Sequence, residues 1–576
     1  MSQTTKRKFP KVESHLQTPR RCTEVKNAVD LLCVMERHGD RTAFTYYKGK
    51  ELADLSYAQF TAMIRDTAAG LEALGFAGKR IALIGESSPE WLCMYLAVLA
   101  GGGVIIPLDK ELAVEEIANF LIRAKADAIA FSTSFSEKFA DLTEKAPALQ
   151  LLIPFSVAET LQPKNAVLCC DLPQLIADGR TKTEYLFPDT DVNALAEFLF
   201  TSGTTGTSKC VMLSQKNIFS VVTAAAQTVD FCPEDTVVSI LPLHHTYELA
   251  CTMAELDYGM HICINDSLRH LIRNFEKFQP TGLVLVPLIV NTMYKKIWSE
   301  AAKQKKTKKL KMGILLSNAL RKIGIDRRAQ MFAEVRQAFG GKLVKIISGG
   351  AAISPEVITA MDDFGIAVYE GYGITECAPL TCVTPYYARK CGSVGPSVPC
   401  CKVRIFADGA EAQAFSEGEI QIHGDNVMLG YCDDAEANAA AFTEDGWFRT
   451  GDVGYMDRDG YVYITGRLKS VIVLESGKNV FPEEIEEYLS HIDFIAESVV
   501  LGRKQGEHVV LTAVVYPAYP KFPPESKQDE VEATIRKAIL ALNKKLPGFK
   551  QIQQVEFRNT EFEKTTTKKI KRHLVK

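Results

Sequence analysis

Short apolar runs rich in Val and Ile alternate with longer amphipathic stretches along most of this chain, and that alternation restricts the fold more than any other feature. Arg80–Ile84, Val104–Leu108, Ala128–Ser132, Val237–Leu241, Gly282–Val286, Leu343–Ser348 and Ile366–Tyr369 read as strands. Tyr57–Leu74, Val114–Ala124 and Asn217–Thr228 read as helices between them. Strands separated by helices pair in parallel, and a parallel sheet needs helices over both faces. The expected class is therefore α/β. Ser354-Pro355-Glu356 opens a further helix as cap, first-turn proline and first-turn acid, and Gly365 closes it.

With 576 residues the chain exceeds one ordinary core, so two or more domains are expected. Its 47% hydrophobic and 24% charged residues have the balance of a soluble globular protein, and a net charge of -3 gives no sign of a nucleic-acid binder. The 15 cysteines are scattered, with no Cys-x-x-Cys pair, and read as reduced thiols of a cytoplasmic protein. The first fifteen residues are basic and polar without the apolar run of a signal peptide. Trp91–Leu108 carries no charge and is just long enough to cross a bilayer. Gly101–Gly103 and Pro107 interrupt it, and Ser87, Ser88 and Pro89 look like a helix start. The expected form is a buried helix, a turn and a short strand, with no transmembrane segment. From about Cys391 to Thr465 the texture changes to Gly, Asp and short alternating runs such as Glu419–His423 and Tyr461–Ile464, with a turn at Asp457–Gly460. This predicts a small, mainly antiparallel β unit. A compact α+β stretch follows Gly466-Arg467.

Four segments carry chemistry. In Leu199–Lys209 (LFTSGTTGTSK) an apolar strand runs into nine residues of Thr, Ser, Gly and Lys. Glycines free the backbone, exposed N–H groups and hydroxyls can surround a polyphosphate, and Lys209 adds charge. The spacing is not that of a Walker A loop, and taken alone the stretch is equally a surface loop. Tyr369–Glu376 (YEGYGITE) offers a ring, small residues, a hydroxyl and a carboxylate able to hold Mg²⁺. Asp452, between Gly451 and Val453, has the chemistry to accept both hydroxyls of a ribose, or to be a turn residue. The tail Glu563–His573 (EKTTTKKIKRH) is basic and by itself reads as a solvated end.

Together, in this order and spacing, these segments resemble the adenylate-forming superfamily of acyl-CoA synthetases, peptide-synthetase adenylation domains and luciferases. The resemblance runs from about Asn27 to His573. Leu241–Glu248 (LPLHHTYE), Ser348–Glu356 (SGGAAISPE) and Gly466–Glu486 resemble its long-chain fatty-acyl-CoA synthetase branch. That resemblance implies a large N-terminal domain, residues 1–468, of two helix-covered mainly parallel sheets plus a small β-barrel-like unit. A small mobile α+β lid domain, residues 469–576, would follow. It implies a ligase that converts a fatty acid, with ATP and Mg²⁺, to acyl-AMP and passes the acyl group to coenzyme A. Two alternatives remain: loading of a separate acyl carrier protein, and a catalytically silent nucleotide- or lipid-binding homologue.

Residue by residue, the resemblance puts Thr201, Ser202, Gly203, Thr204, Thr205, Gly206 and Lys209 on the phosphate loop. Gly349, Gly350, Ala351 and Tyr372 would border the adenine. Thr375 would touch the α-phosphate region and Glu376 would hold Mg²⁺. Asp452 and Arg467 would bind the ribose, and His245 would stand near the acyl carboxylate and the thiol route. Lys469 would be the hinge, Gly477 would face the pantetheine path, and Lys569 would be the catalytic lysine. Two departures stand out: Lys568 precedes Lys569 where many members have glycine, and Ser470 follows the hinge where an acid is common. Apolar residues near Leu241–Tyr247, Val284–Val290 and Gly349–Gly371 would line the acyl pocket. Finally, Lys303–Lys311 holds six lysines in nine residues, with Ile314, Leu315, Leu316 and Leu320 beyond it. Two readings apply: a peripheral surface meeting anionic lipid on the inner face of the membrane, or a solvated helical insert.

Overall fold

The computed structural model describes residues 23–157, 161, 167–201, 208–229, 231–474, 479–505, 508–564 and 570–575. The chain divides into two compact units, residues 1–403 with 422–448, and residues 404–421 with 449–576. The fold is α/β, with a large N-terminal part of mixed sheets and helices and a smaller C-terminal part.

The larger unit holds two eight-stranded sheets. In the first, Ala367–Gly373, Lys345–Ser348, Gly282–Leu285, Thr236–Ser239, His261–Ile264 and Thr42–Lys48 lie side by side in parallel. Antiparallel strands close both edges, Leu380–Val383 at one and Glu51–Ser56 at the other. In the second, Leu195–Thr201, Val104–Leu108, Arg80–Ile84, Ala128–Phe131, Leu151–Pro154 and Leu168–Cys169 run parallel. Lys209–Ser214 and Gly430–Tyr431 add an antiparallel edge. Central strands such as Ala128–Phe131 and Leu151–Pro154 are buried along their whole length, which is why they read as unbroken apolar runs.

The uncharged stretch Trp91–Leu108 folds as its punctuation requires. Ser88 caps the helix Pro89–Ala100 by accepting from Trp91 N, with Pro89 at the first turn. The turn at Gly101–Gly103 needs its last glycine, because a Cβ on Gly103 would stand 2.8 Å from the Lys79 carbonyl. Every residue from Trp91 to Ala100 is buried, so the hydrophobicity serves the protein core. Among the described residues no helix is long and apolar enough to cross a membrane.

A five-stranded sheet, most of it in the smaller unit, runs in the order Ala410–Glu411, Cys401–Ala407, Gly418–Gly424, Phe448–Met456, Val462–Arg467. It is the small β unit expected from the change of texture, and the turn at Asp457 is present, with its carboxylate accepting from Asp459 N and Tyr461 N. Toward the C-terminus, Ile495–Gln505 and His508–Pro517 form an antiparallel pair, and Gln554–Phe557 adds in parallel. The helices Pro482–Ser490 and Gln528–Asn543 bury Ile485, Leu489, Ile535 and Ile539 in the same apolar cluster as these strands.

Candidate active site

In open α/β sheets, ligands collect beyond the carboxyl ends of the strands. Thr201, Gly349 and Glu376 all stand at or just past such ends. The strand Leu195–Thr201 does more than run into a loop: it turns back as Lys209–Ser214, and Thr201 faces Lys209 across the resulting hairpin. Lys209 is therefore the first residue of a strand, and the apolar run Cys210–Leu213 was the local sign of it. Ser202, Gly203, Thr204, Thr205 and Gly206 lie outside the described residues.

The strand expected to stop at Tyr369 continues to Gly373, because it pairs back with Leu380–Val383. The close return requires glycine: a Cβ on Gly373 would sit 2.0 Å from the Pro379 carbonyl. A single 3-10 turn, Thr375–Cys377, then presents Glu376. Its backbone carbonyl accepts from Met428 N at 2.9 Å. Its Oε1 accepts from the Tyr431 hydroxyl at 2.9 Å, and Lys209 Nζ lies 4.1 Å from the centre of the Tyr431 ring. Burial, and after it the Glu376 charge, hold the Tyr431 hydroxyl well above its ordinary pKa, so it remains a donor.

Tyr431 was not identified from the sequence, since it is far along the chain from both partners and belongs to no motif. Its position is over-determined by amides. Asn438 Oδ1 accepts from Tyr431 N at 2.7 Å, and Asn438 Nδ2 donates to Tyr431 O at 2.8 Å. The buried Asn217 donates to the Asp425 and Val427 carbonyls, each at 2.8 Å, and so fixes the loop that reaches Glu376.

Gly349 is buried and lies against Tyr247: a Cβ there would stand 2.9 Å from the phenol ring. Tyr247 donates to the Ile347 carbonyl at 3.1 Å. Gly350, at φ +83°, and Ala351 are exposed, whereas Tyr372 is buried. His245 is the N-cap residue of the helix Thr246–Tyr258, and its ring lies 4.2 Å from that of His244. On that helix the buried Glu248 accepts from Ser239 Oγ at 2.5 Å, and burial raises its carboxyl to about 8.

In the smaller unit, Asp452 is buried in mid-strand, which removes the turn reading, and it sits directly opposite Arg467. Arg467 Nε pairs with Asp452 Oδ1 at 2.9 Å. Thus the two residues expected at a ribose form one cross-strand ion pair. Lys469 is exposed in the turn after Arg467. Just before that turn, Gly466 lies under Phe481, where a Cβ would be 2.2 Å from the ring. Gly477 and Lys569 lie outside the described residues, although Lys564 and Ile570 pair through an isolated bridge. The tail beyond is tied down by Arg572, which donates to Glu486 at 2.6 and 2.7 Å.

A divalent cation fits Glu376. The carboxylate is a hard oxygen donor held by one hydrogen bond, and its Oε2 accepts none among the described residues. No cluster of three His, Cys, Asp or Glu side chains suited to a metal occurs among those residues. A carboxylate oxygen is the donor type that Mg²⁺ takes, its remaining positions usually being filled by water and phosphates.

Comparison with known proteins shows the family to which the chain belongs. The AMP-binding enzyme family matches residues 33–432, and the AMP-binding enzyme C-terminal domain matches residues 469–576. Long-chain-fatty-acid–CoA ligase 1 of Homo sapiens is 29% identical over 84% of this chain and 71% of its own length. Long-chain-fatty-acid–CoA ligase FadD15 of Mycobacterium bovis is 27% identical over 91% of this chain and 90% of its own. Among solved structures, ATP-bound MatB from Rhodopseudomonas palustris superposes with a TM-score of 0.72 at 25% identity, covering 95% of this chain and 98% of that one.

Proposed function

Because this chain belongs to the AMP-binding enzyme family, we propose that it activates a fatty acid with ATP to acyl-AMP and passes the acyl group to coenzyme A. The observation that carries the reading is the meeting of Lys209, Tyr431 and Glu376 at the hairpin that brackets the Thr/Ser/Gly stretch. Similarity to long-chain ligases over 84 and 91% of the chain supports a fatty acid as the substrate.

A carboxylate is a poor acyl donor because its leaving group is oxide. Attack of its oxygen on the α-phosphorus of ATP forms a C–O–P link and expels pyrophosphate, which leaves AMP as a far better leaving group. Both reactants are anionic, so charge and positioning supply most of the catalysis. Lys209 brings positive charge to the phosphates, and Thr375 contacts the α-phosphate. Glu376 would hold Mg²⁺, which when bound neutralises charge on the polyphosphate. Tyr431 fixes one oxygen of that carboxylate and so orients the other. Gly349, Gly350, Ala351 and Tyr372 border the adenine, Asp452 and Arg467 take the ribose hydroxyls, and Lys569 bridges the acid and the α-phosphate. In the second half the thiol of coenzyme A attacks the acyl carbon and AMP leaves. His245 stands beside that carbon. Residues 469–576 turn about Lys469 between the two halves, which brings Gly477 to the pantetheine.

The test is AMP release measured over a panel of acids, with coenzyme A and with an acyl carrier protein as acceptor. Release that depends on a fatty acid and coenzyme A meets the expectation. Release that needs the carrier protein replaces coenzyme A as acceptor, and no release with any acid overturns the assignment.

A further inference from the structure

The helix Thr307–Lys322 is apolar on two opposite faces, and only one of them serves the fold. On the inner face, Leu310 and Ile314 pack against the core, and Ser317 is buried. Asn318 donates to Asp363 at 2.9 Å, and Arg321 meets Asp362 at 3.0 Å. These contacts fix which way the helix faces. At 3.6 residues per turn the opposite face carries Met312, Leu315, Leu316, Ala319 and, one residue past the helix, Ile323. Met312, Leu315, Leu316 and Ile323 are 69, 69, 55 and 71% exposed. Isolated exposed leucines are ordinary, but four large apolar side chains in one stripe mark a contact surface.

Charge identifies the partner. From Ala301 to Gly324 the chain has eight cationic side chains and no acidic one. Glu300 neutralises Lys303 and Glu334 neutralises Lys306, both at 2.8 Å. Lys308, Lys311 and Lys322 make no ion pair among the described residues. In helical projection Lys311 and Lys322 border one side of the stripe, Lys309 borders the other, and Lys308 heads it. A stripe of apolar residues edged by lysines is the pattern of a helix lying in a lipid interface. A second copy of this chain fits it poorly, because a two-fold contact would set the same lysines against each other.

We propose that the outer face of Thr307–Lys322 docks on an anionic bilayer. Met312, Leu315, Leu316 and Ile323 enter the acyl boundary, and Lys308, Lys309, Lys311 and Lys322 meet the headgroups. This does not depend on which acid the enzyme activates. The full-length protein should sediment with phosphatidylcholine vesicles containing phosphatidylserine, less so as salt rises, and not with phosphatidylcholine alone. Leu315→Asp combined with Leu316→Asp should lower the partition by at least about tenfold. Each of Lys308→Gln, Lys309→Gln and Lys311→Gln should lower it by about fivefold. All are surface changes, so an unchanged thermal midpoint and unchanged AMP release from a water-soluble acid confirm intact enzyme. Binding that ignores lipid charge, no binding, or wild-type binding by the leucine variant overturns the proposal. So does self-association that the leucine variant abolishes in a protein that ignores vesicles. None of these outcomes alters AMP release, so the ligase reading is tested separately.

Discussion

Tyr431→Phe is the sharpest probe of the site, because it removes one oxygen and leaves the ring beneath Lys209, 4.1 Å from the ammonium. The lost interaction is a hydroxyl donating at 2.9 Å to a carboxylate. Hydrogen bonds to charged groups contribute about 1.5–3 kcal/mol net. Glu376 is half-buried, so water replaces part of the donor and the lower end applies. A loss of about 1–2 kcal/mol in the adenylation transition state corresponds to roughly five- to thirtyfold in rate. The assay is acid-dependent exchange of pyrophosphate into ATP, measured across a Mg²⁺ titration. The variant should exchange five- to thirtyfold more slowly, by the same conversion, and need more Mg²⁺, because its carboxylate is no longer held in one orientation. Acyl transfer from supplied acyl-AMP should be spared. Exchange within about twofold of wild type, with the same Mg²⁺ dependence, would refute the claim that Tyr431 positions Glu376.

Other outcomes follow from the same structure. Glu197 is fully buried in the strand before the hairpin, and burial raises its carboxyl from 4.5 to about 8. Its raised affinity for a proton favours the fold most below 4.5, and that advantage is lost as pH rises to about 8. Glu197→Gln should therefore leave stability near pH 4 unchanged and raise it on the order of 3 kcal/mol at pH 7. Denaturant titrations at the two pH values check this, and an equal effect at both refutes it. Asp362 is buried against Arg389, Arg321 and Arg328 at 2.8, 3.0 and 3.3 Å. Asp362→Ala should cost about 3–5 kcal/mol, seen as a lowered thermal midpoint, because it strands buried guanidinium groups. Lys569→Ala should slow acyl-adenylate formation on the order of a hundredfold while sparing thioester formation from supplied acyl-AMP, and equal loss of both counts against its role. Lys469→Pro should impair thioester formation selectively, and survival of both half-reactions would remove Lys469 as the hinge.

What the linear sequence determined was whatever depends on neighbours along the chain. Ser88, Ser354, Pro355 and Gly365 punctuate helices by local backbone chemistry, and the apolar runs Arg80–Ile84 and Ala128–Phe131 announce parallel strands. The order along the chain of the four segments proposed to carry the chemistry, around Thr201, Glu376, Asp452 and Lys569, was legible for the same reason. Tertiary structure alone decided what meets what. Tyr431 reaches Glu376 only because Gly430–Tyr431 adds to the edge of one sheet while Glu376 follows a strand of the other. Arg467 finds Asp452 through cross-strand register, which no local pattern encodes. Likewise, the lysines beside Leu315 and Leu316 were readable in sequence, but which face of their helix the core consumed was not. Asn318 and Arg321, anchored on Asp363 and Asp362, together with the packed Leu310 and Ile314, show that the leucines point away from the core. Contacts between residues distant along the chain arise when separate elements pack, and burial is a property of that packing rather than of composition.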